Sequence, residues 1–401
     1  MPRPCQNLYK KFIKSEGDVP EDFFAAMGDD RDYAVDLIPK FIMADGLLAK
    51  ILVHTRVVHY LDFKRVDGSY VYKSGGVVDK VPATEGEALS TSLVGFFQKR
   101  RLRNFLQFIA KYKQSDPSTH DGFNCATSTT RELMSKFSLD DNTVDFVVHA
   151  MALQSSDECL NGPALPVVEA IQLYASSLAR FGGSPFIYPA YGLGGLPESF
   201  SRLCAVNGGT FMLHQDVDEI LYDSEGKFAG IRCGDAAASA TTVIGDPSYF
   251  PADKVKREGR VIRTILLLNH GLECLKGVQS GQIILPQKQI GRHNDVYVTV
   301  LGPAHHVVAE GRCATMVSTV LEGSGDGKDQ VAAGVALCGA QTCRFDNITD
   351  IVTPVDDGTA TRTFITSSYD ASSHFQGVAQ DALRMYECIT GKPLVLTNPD
   401  E

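Results

Sequence analysis

Between Pro82 and about Ala179 the apolar residues of this chain recur at helical spacing, and on both sides of that stretch they alternate with polar ones. A chain that changes period twice must fold as two kinds of layer. Leu89, Leu93, Phe96 and Phe97 form one stripe and Leu102, Phe105, Leu106 and Ile109 a second. Thr84-x-x-Glu87 and Thr129-x-x-Glu132 have the form of capping boxes, the latter ahead of Leu133, Met134 and Phe137. Asp140 or Asp141 precedes Val144, Val147, Val148 and Met151, and Val167, Val168, Ile171, Ala175 and Leu178 complete a fifth stripe. Five amphipathic helices with short links predict a helical domain inserted between two β-rich halves.

The flanks carry strand signals. A short helical piece is expected near Leu8–Phe12, and Asp45-Gly46 opens a helix with Leu47, Leu48, Ile51 and Leu52. Tyr60–Val66 and Ser69–Lys73, joined by Asp67-Gly68, read as a β-hairpin. Beyond the helices, Val217–Tyr222 and Phe228–Cys233 read as a second hairpin, and Thr242–Pro247 as an apolar strand ending in Gly245-Asp246. Further strands fit Val261–Leu268, Val296–Leu301, Ala314–Leu321 and Arg362–Ser367, and a helix fits His374–Ile389. The expected class is α/β (α+β). A flavoprotein-like, β-rich domain is built from residues 1–82 and 189–401, with an all-helical domain at 83–188.

The junction after the helices, Tyr188–Leu213, is unusual. Pro189 and Pro197 restrict φ and Gly192, Gly194 and Gly195 release it, so a loop is expected, yet Tyr191, Leu193 and Leu196 place bulky apolar groups on it. Pro197 suits the start of a short helix with Phe200, Leu203 and Cys204 inward, and Thr210–Leu213 reads as a strand. An apolar loop anchored by helix and strand is either a core connection or a recognition surface.

Chemistry narrows the choice by what is missing. No G-x-G-x-x-G follows a strand, and Gly192-x-Gly194-Gly195 leads into Pro197, so no dinucleotide cofactor is expected. There is no G-x-S-x-G. Ser368, Asp370 and His374 are read as turn and cap residues, and His305-His306, His54 and His59 as surface or hydrogen-bonded histidines, so neither triad nor metal is expected. Ten cysteines lie without C-x-x-C spacing, Cys338 and Cys343 being the closest two, which reads as reduced thiols in a cytosolic protein. The net charge of −10 argues against nucleic acid. Lys99-Arg100-Arg101-Leu102-Arg103 is either a solvated helix face or a contact for an acidic partner. No apolar run reaches the roughly 18 residues of a spanning helix, so any membrane role is peripheral or through a partner.

Long ordered blocks then carry a resemblance. Arg31-Asp32 leads into Val35-Asp36-Leu37-Ile38-Pro39-Lys40-Phe41. Tyr60–Lys64, Lys99–Arg101, Ser177–Arg180, Asp246–Tyr249 and Ser368–Ala371 follow in order. From about Leu8 onward the chain resembles the Rab GDP dissociation inhibitors. The resemblance implies a non-enzymatic partner of GDP-bound, prenylated Rab GTPases that slows GDP release and carries them in the cytosol, touching membranes transiently through the Rab. It places Arg202, Thr210 and Met212 against the Rab switch regions, with Tyr191, Leu193 and Gly195 in the partner-binding loop. Gly195 departs from the family, which has an acidic residue there. In the helical domain, Leu93, Phe96, Leu102, Phe105, Leu106, Ile109, Val144, Val147, Met151 and Ile171 would wall a pocket for the geranylgeranyl lipid. The family's N-terminal strand-helix-strand unit is expected to lie upstream of this chain's start. A Rab escort protein and a flavin-dependent oxidoreductase are the rival readings.

Overall fold

The computed structural model describes residues 28–84, 87 and 93–399. The helical piece at Leu8–Phe12, and Leu89 of the first stripe, lie outside the described residues. The chain opens with strand β1 (Ile42–Met43), helix α1 (Leu47–His54) and strands β2 (Phe63–Arg65), β3 (Gly68–Lys73) and β4 (Val77–Lys80). The helical layer follows as α2 (Phe96–Lys111), α3 (Thr130–Lys136), α4 (Asp141–Asp145) and α5 (Leu165–Phe181). Then come β5 (Phe186–Pro189), α6 (Gly195–Val206), β6 (Glu219–Tyr222), β7 (Phe228–Cys233), β8 (Ala236–Ser239) and β9 (Val243–Gly245). The last part holds β10 (Val255–Leu268), β11 (Gly281–Leu285), β12 (Val296–Leu301), β13 (Cys313–Val320), α7 (Ala332–Leu337), β14 (Cys343–Pro354), β15 (Thr363–Ile365) and α8 (Gln376–Thr390).

The backbone of the fold is a seven-stranded sheet ordered β14-β10-β13-β12-β11-β3-β4. Its strands alternate between two buried faces. Ile265 and Leu267 of β10, with Met316 and Phe345, join Phe105, Ile109, Val147 and Ile171 of the helical layer in one core. Ile262, Leu266 and Leu268, one residue out of phase, pack with Val298, Val317 and Val335 in a second. A sheet covered on both faces explains the unbroken apolar run Ile265–Leu268, which periodicity alone does not resolve. Smaller sheets order as β1-β5-β2, β6-β7-β8 and the parallel pair β15-β9.

The helical layer is capped at Thr84 and Thr129 as its sequence suggests. Thr129 and Glu132 form the reciprocal capping box of α3. At Thr84 the hydroxyl accepts the Glu87 N–H at 3.2 Å, and the Glu87 carboxylate reaches back to the Thr84 and Ala83 backbone and to Lys80. The first two expected stripes do not make two helices as drawn. Phe96 and Phe97 begin α2 itself, and Leu93 precedes it in a bend. Past α4 the helix widens into a π turn, Phe146–Met151, which lowers His149 into the sheet.

Two local readings are corrected. The Asp67-Gly68 hairpin does not form: β2 pairs with β5, while β3 pairs with β4 and runs parallel to β11. The cause is Asp67, whose carboxylate accepts the Ser280 N–H and hydroxyl at 3.1 and 2.9 Å and so delivers β3 to the other sheet. The hairpin lies one strand later, between β3 and β4. Thr210–Leu213 is not a strand; it is irregular, and all four residues are exposed. Strands β11 and β14 have no counterpart in the sequence reading.

Candidate functional site

The loop between β5 and α6 is held by one carboxylate. Asp36 accepts the Leu193 N–H at 2.9 Å and the Tyr188 hydroxyl on the same oxygen. Burial pushes the Asp36 carboxyl above its usual range, against the pull of those two bonds. Gly192, at φ +85, passes so close that a Cβ would lie 2.8 Å from the same oxygen, so both conformation and space demand glycine. Tyr191 follows the bend at φ +66, donates its N–H to the His305 carbonyl at 2.9 Å, and stacks its ring on His306 at 4.9 Å. His305, buried and held near 4 by desolvation, packs edge-on against Tyr188 at 6.0 Å. The two adjacent histidines are braces for the loop. Asp36, His305 and His306 were missed as site residues in sequence; the signal was a single acid inside the apolar run Val35–Ile38.

Helix α6 starts two residues earlier than Pro197, at Gly195 with Gly194 as its N-cap, so Pro197 sits in the first turn where its absent N–H costs nothing. Phe200 and Leu203 pack inward with Leu61 and Phe63, but Cys204, expected inward, is exposed. Arg202 does not pair with Glu198. Its guanidinium lies 4.8 Å from the ring centroid of Tyr60, and both face solvent. Beyond the helix, Gly209 folds back onto Cys204, its N–H bonding the Cys204 carbonyl at 2.9 Å. Val206, Phe211, Met212 and Leu213 then stand exposed, Met212 at 73%. With Tyr191 at 69%, these are large apolar side chains left in water. Leu193 points the other way, into an apolar groove of about 570 Å³ shared with Leu37, Ile38, Phe200, Phe375 and Val378.

The residues expected to wall a lipid pocket separate into two groups. Leu93, Phe105, Ile109, Val147 and Ile171 are buried in the closed core, and Leu102, Leu106, Val144 and Met151 pack half-buried against it. Phe96 does not belong with them: it stands on the outward face of α2. An opening of about 350 Å³ touches Leu93 and Phe146, but Lys73, Asp140, Asn142 and Asp145 share its wall.

Charges buried elsewhere are paired internally. Lys40 donates to Asp370 at 2.6 Å; burial opposes the Asp370 charge, yet Lys40 holds it near 2. His374 is half-buried beside this pair and desolvation depresses it to about 4, and Ser372 bonds Asp370, so Ser368, Asp370 and His374 make no relay. Asp145, His149 and Asp157 come close enough to share an ion. Lys288 already lies 2.9 and 3.0 Å from the two carboxylates, and His149 bonds Asp295 at 2.8 Å. The cluster ties the π turn to the sheet.

A model of the family described as GDP dissociation inhibitor matches residues 4–401. A Rab GDP-dissociation inhibitor of Saccharomyces cerevisiae is 44% identical over 396 residues, which is 98% of this chain and 87% of that protein. The crystal structure of a Rab GDI from Plasmodium falciparum superimposes with a TM-score of 0.90 at 37% identity, covering 97% of this chain and 89% of that one. An oxidoreductase from Methanosarcina mazei shares the fold at a TM-score of 0.54 and 16% identity, covering 87% of this chain and 86% of that one. The flavoprotein-like architecture expected from the sequence is therefore the one observed.

Proposed function

The chain belongs to the GDP dissociation inhibitor family, and on that premise we propose how it works as a Rab GDP dissociation inhibitor. It is a regulator that binds Rab GTPases in the GDP state and slows nucleotide release. The observation that carries the site assignment is the Asp36-braced loop, with exposed Tyr191, Arg202 and Met212 presented on and around α6. Arg202 brings a planar fork suited to a carboxylate, and its ring contact with Tyr60 keeps that fork in place. Thr210 adds a hydroxyl and Met212 an adaptable apolar contact. Leu193 and Gly195 set the shape of the loop beneath them.

Residues 1–82 and 189–401 would form the Rab-binding body and residues 83–188 the prenyl-binding domain. A geranylgeranyl chain gains about 0.8 kcal/mol per CH2 that leaves water, so the helical layer must open a slot among Leu102, Leu106, Val144 and Met151. These four are the half-buried members of the set, the ones whose displacement disturbs the closed core least. Among the described residues no helix is long and apolar enough to cross a membrane. Residence in the cytosol, with membrane visits made through the Rab, completes the proposal. An oxidoreductase activity has no support, because the oxidoreductase neighbour at 16% identity speaks to the fold alone.

The test pairs GDP release from a prenylated Rab with extraction of that Rab from liposomes. The chain should slow the first and promote the second. If it does neither while a family relative is active in parallel, the proposal is wrong for this protein.

A further inference from the structure

Helix α2 opens on two aromatic side chains that, among the described residues, nothing covers. Phe96 is 83% and Phe97 82% exposed, and their rings meet edge-on at 5.6 Å. Burial statistics make one exposed phenylalanine ordinary, but two touching at the tip of a helix form an apolar knob. The sixteen residues from Phe96 to Lys111 contain Lys99, Arg100, Arg101, Arg103 and Lys111 and no acid, in a chain whose net charge is −10. Arg101 is engaged with the Ser138 carbonyl at 2.9 Å. Arg100 and Arg103 are exposed and, among the described residues, have no ion-pair partner. They sit four and seven residues after Phe96, on its face of the helix, so their charges follow the knob at rises of roughly 6 and 10 Å.

We propose that the Phe96–Arg103 end of helix α2 is a direct docking site for an anionic lipid bilayer, used by this chain without a protein partner. The spacing fits the layers of a membrane surface. Phe96 and Phe97 enter the acyl boundary, while the Arg100 and Arg103 stems reach back to the phosphates. A protein partner would have to offer a pocket for two rings and an acidic rim; a bilayer offers both everywhere on its surface. The net charge of the remaining body is negative, so an anionic surface favours an approach that leads with this helix. The proposal does not rest on the GTPase-binding role and is tested without a GTPase.

The chain has no tryptophan, so Phe97→Trp introduces a unique fluorophore at the knob. The full-length protein is mixed with vesicles of phosphatidylcholine alone or with about a third phosphatidylserine. Binding to the anionic vesicles should be about tenfold or more tighter, with a blue shift and quenching by doxyl lipids. Phe96→Ala with Phe97→Ala should lower that binding about tenfold, and Arg100→Glu with Arg103→Glu should erase the preference for anionic lipid. All four residues are at the surface, so thermal melts should stay unchanged. Equal binding to both vesicles, unaltered binding by either double variant, or a Trp signal that ignores quencher would overturn the proposal. So would a loss of vesicle binding coupled to capture of a purified acidic protein at the same face.

Discussion

Asp36 reaches across 157 residues of chain to accept the backbone N–H of Leu193 at 2.9 Å. That bond, with the Tyr188 hydroxyl on the same oxygen, sets the loop from which the proposed Rab surface is built. Asp36→Ala orphans a buried N–H and a buried hydroxyl and should cost about 2 kcal/mol of stability. Because burial raises the Asp36 pKa, its ionised form is the unfavourable one in the fold, and its contribution weakens as pH rises through that pKa. Asp36→Asn keeps one acceptor without the charge and should cost less than the alanine change. Chemical denaturation ranks the two, and faster exchange of the Leu193 amide reports the freed loop.

Arg202 over the Tyr60 ring allows structure and function to be separated. An exposed cation–π pair is worth about 0.5–1 kcal/mol, so Arg202→Ala should barely move the melting point. If the guanidinium meets Rab, the same change should weaken binding by about 1–3 kcal/mol. Arg202→Lys keeps the charge but not the fork and should recover only part of the affinity. Titration calorimetry against GDP-loaded Rab decides; unchanged affinity would remove Arg202 from the interface.

The His149 cluster gives a pH dependence with a definite sign. Burial opposes its charge, but the hydrogen bonds its ring N–H groups donate to Asp157 and Asp295 outweigh that and raise it from 6.5 to about 10. A raised histidine stabilises fully below its unfolded value and loses the effect as pH climbs through the folded one. His149→Gln should therefore cost about 3 kcal/mol near pH 6, and the gap should narrow steadily toward pH 10. Urea titrations at several pH values measure it. A gap that widens with pH would mean the imidazole is neutral in the fold.

What was legible in the sequence followed from period and caps. Helix α5, the Thr129 box, the β6–β7 hairpin and α8 lie where spacing puts them, because each is decided locally. The Asp67-Gly68 turn was misread because its outcome depends on Ser280, more than two hundred residues away. Phe96 was misread for a subtler reason. Its stripe ran through a register shared with Leu93, but the helix begins only at Phe96, and the two then face opposite ways. The loop braces were hidden because stacking of Tyr191 on His306 is a tertiary contact with no local signature. Met212 and Thr210 were proposed through resemblance alone, while the strand they were expected to occupy gave way to an exposed irregular segment.

Gly195 offers the most direct route back from structure to specificity. It is the first residue of α6, and a Cβ there would stand 3.0 Å from the Leu61 Cδ2, a terminal methyl able to shift. A carboxylate at this position would lie in the first helical turn, where the free N–H groups favour negative charge by about 0.3–1 kcal/mol. It would also restore the acidic group that the resemblance to the family implies at this position. Gly195→Glu should therefore leave stability within about 0.5 kcal/mol, the Leu61 adjustment offsetting the helix-terminus gain. Its effect on Rab should be larger and electrostatic: affinity rising several-fold at low salt, chiefly through faster association, and converging with the parent chain as ionic strength climbs. Stopped-flow association of GDP-bound Rab across a salt series checks both parts. A variant that melts normally yet associates no faster at any ionic strength would show that no partner cation faces this end of the helix.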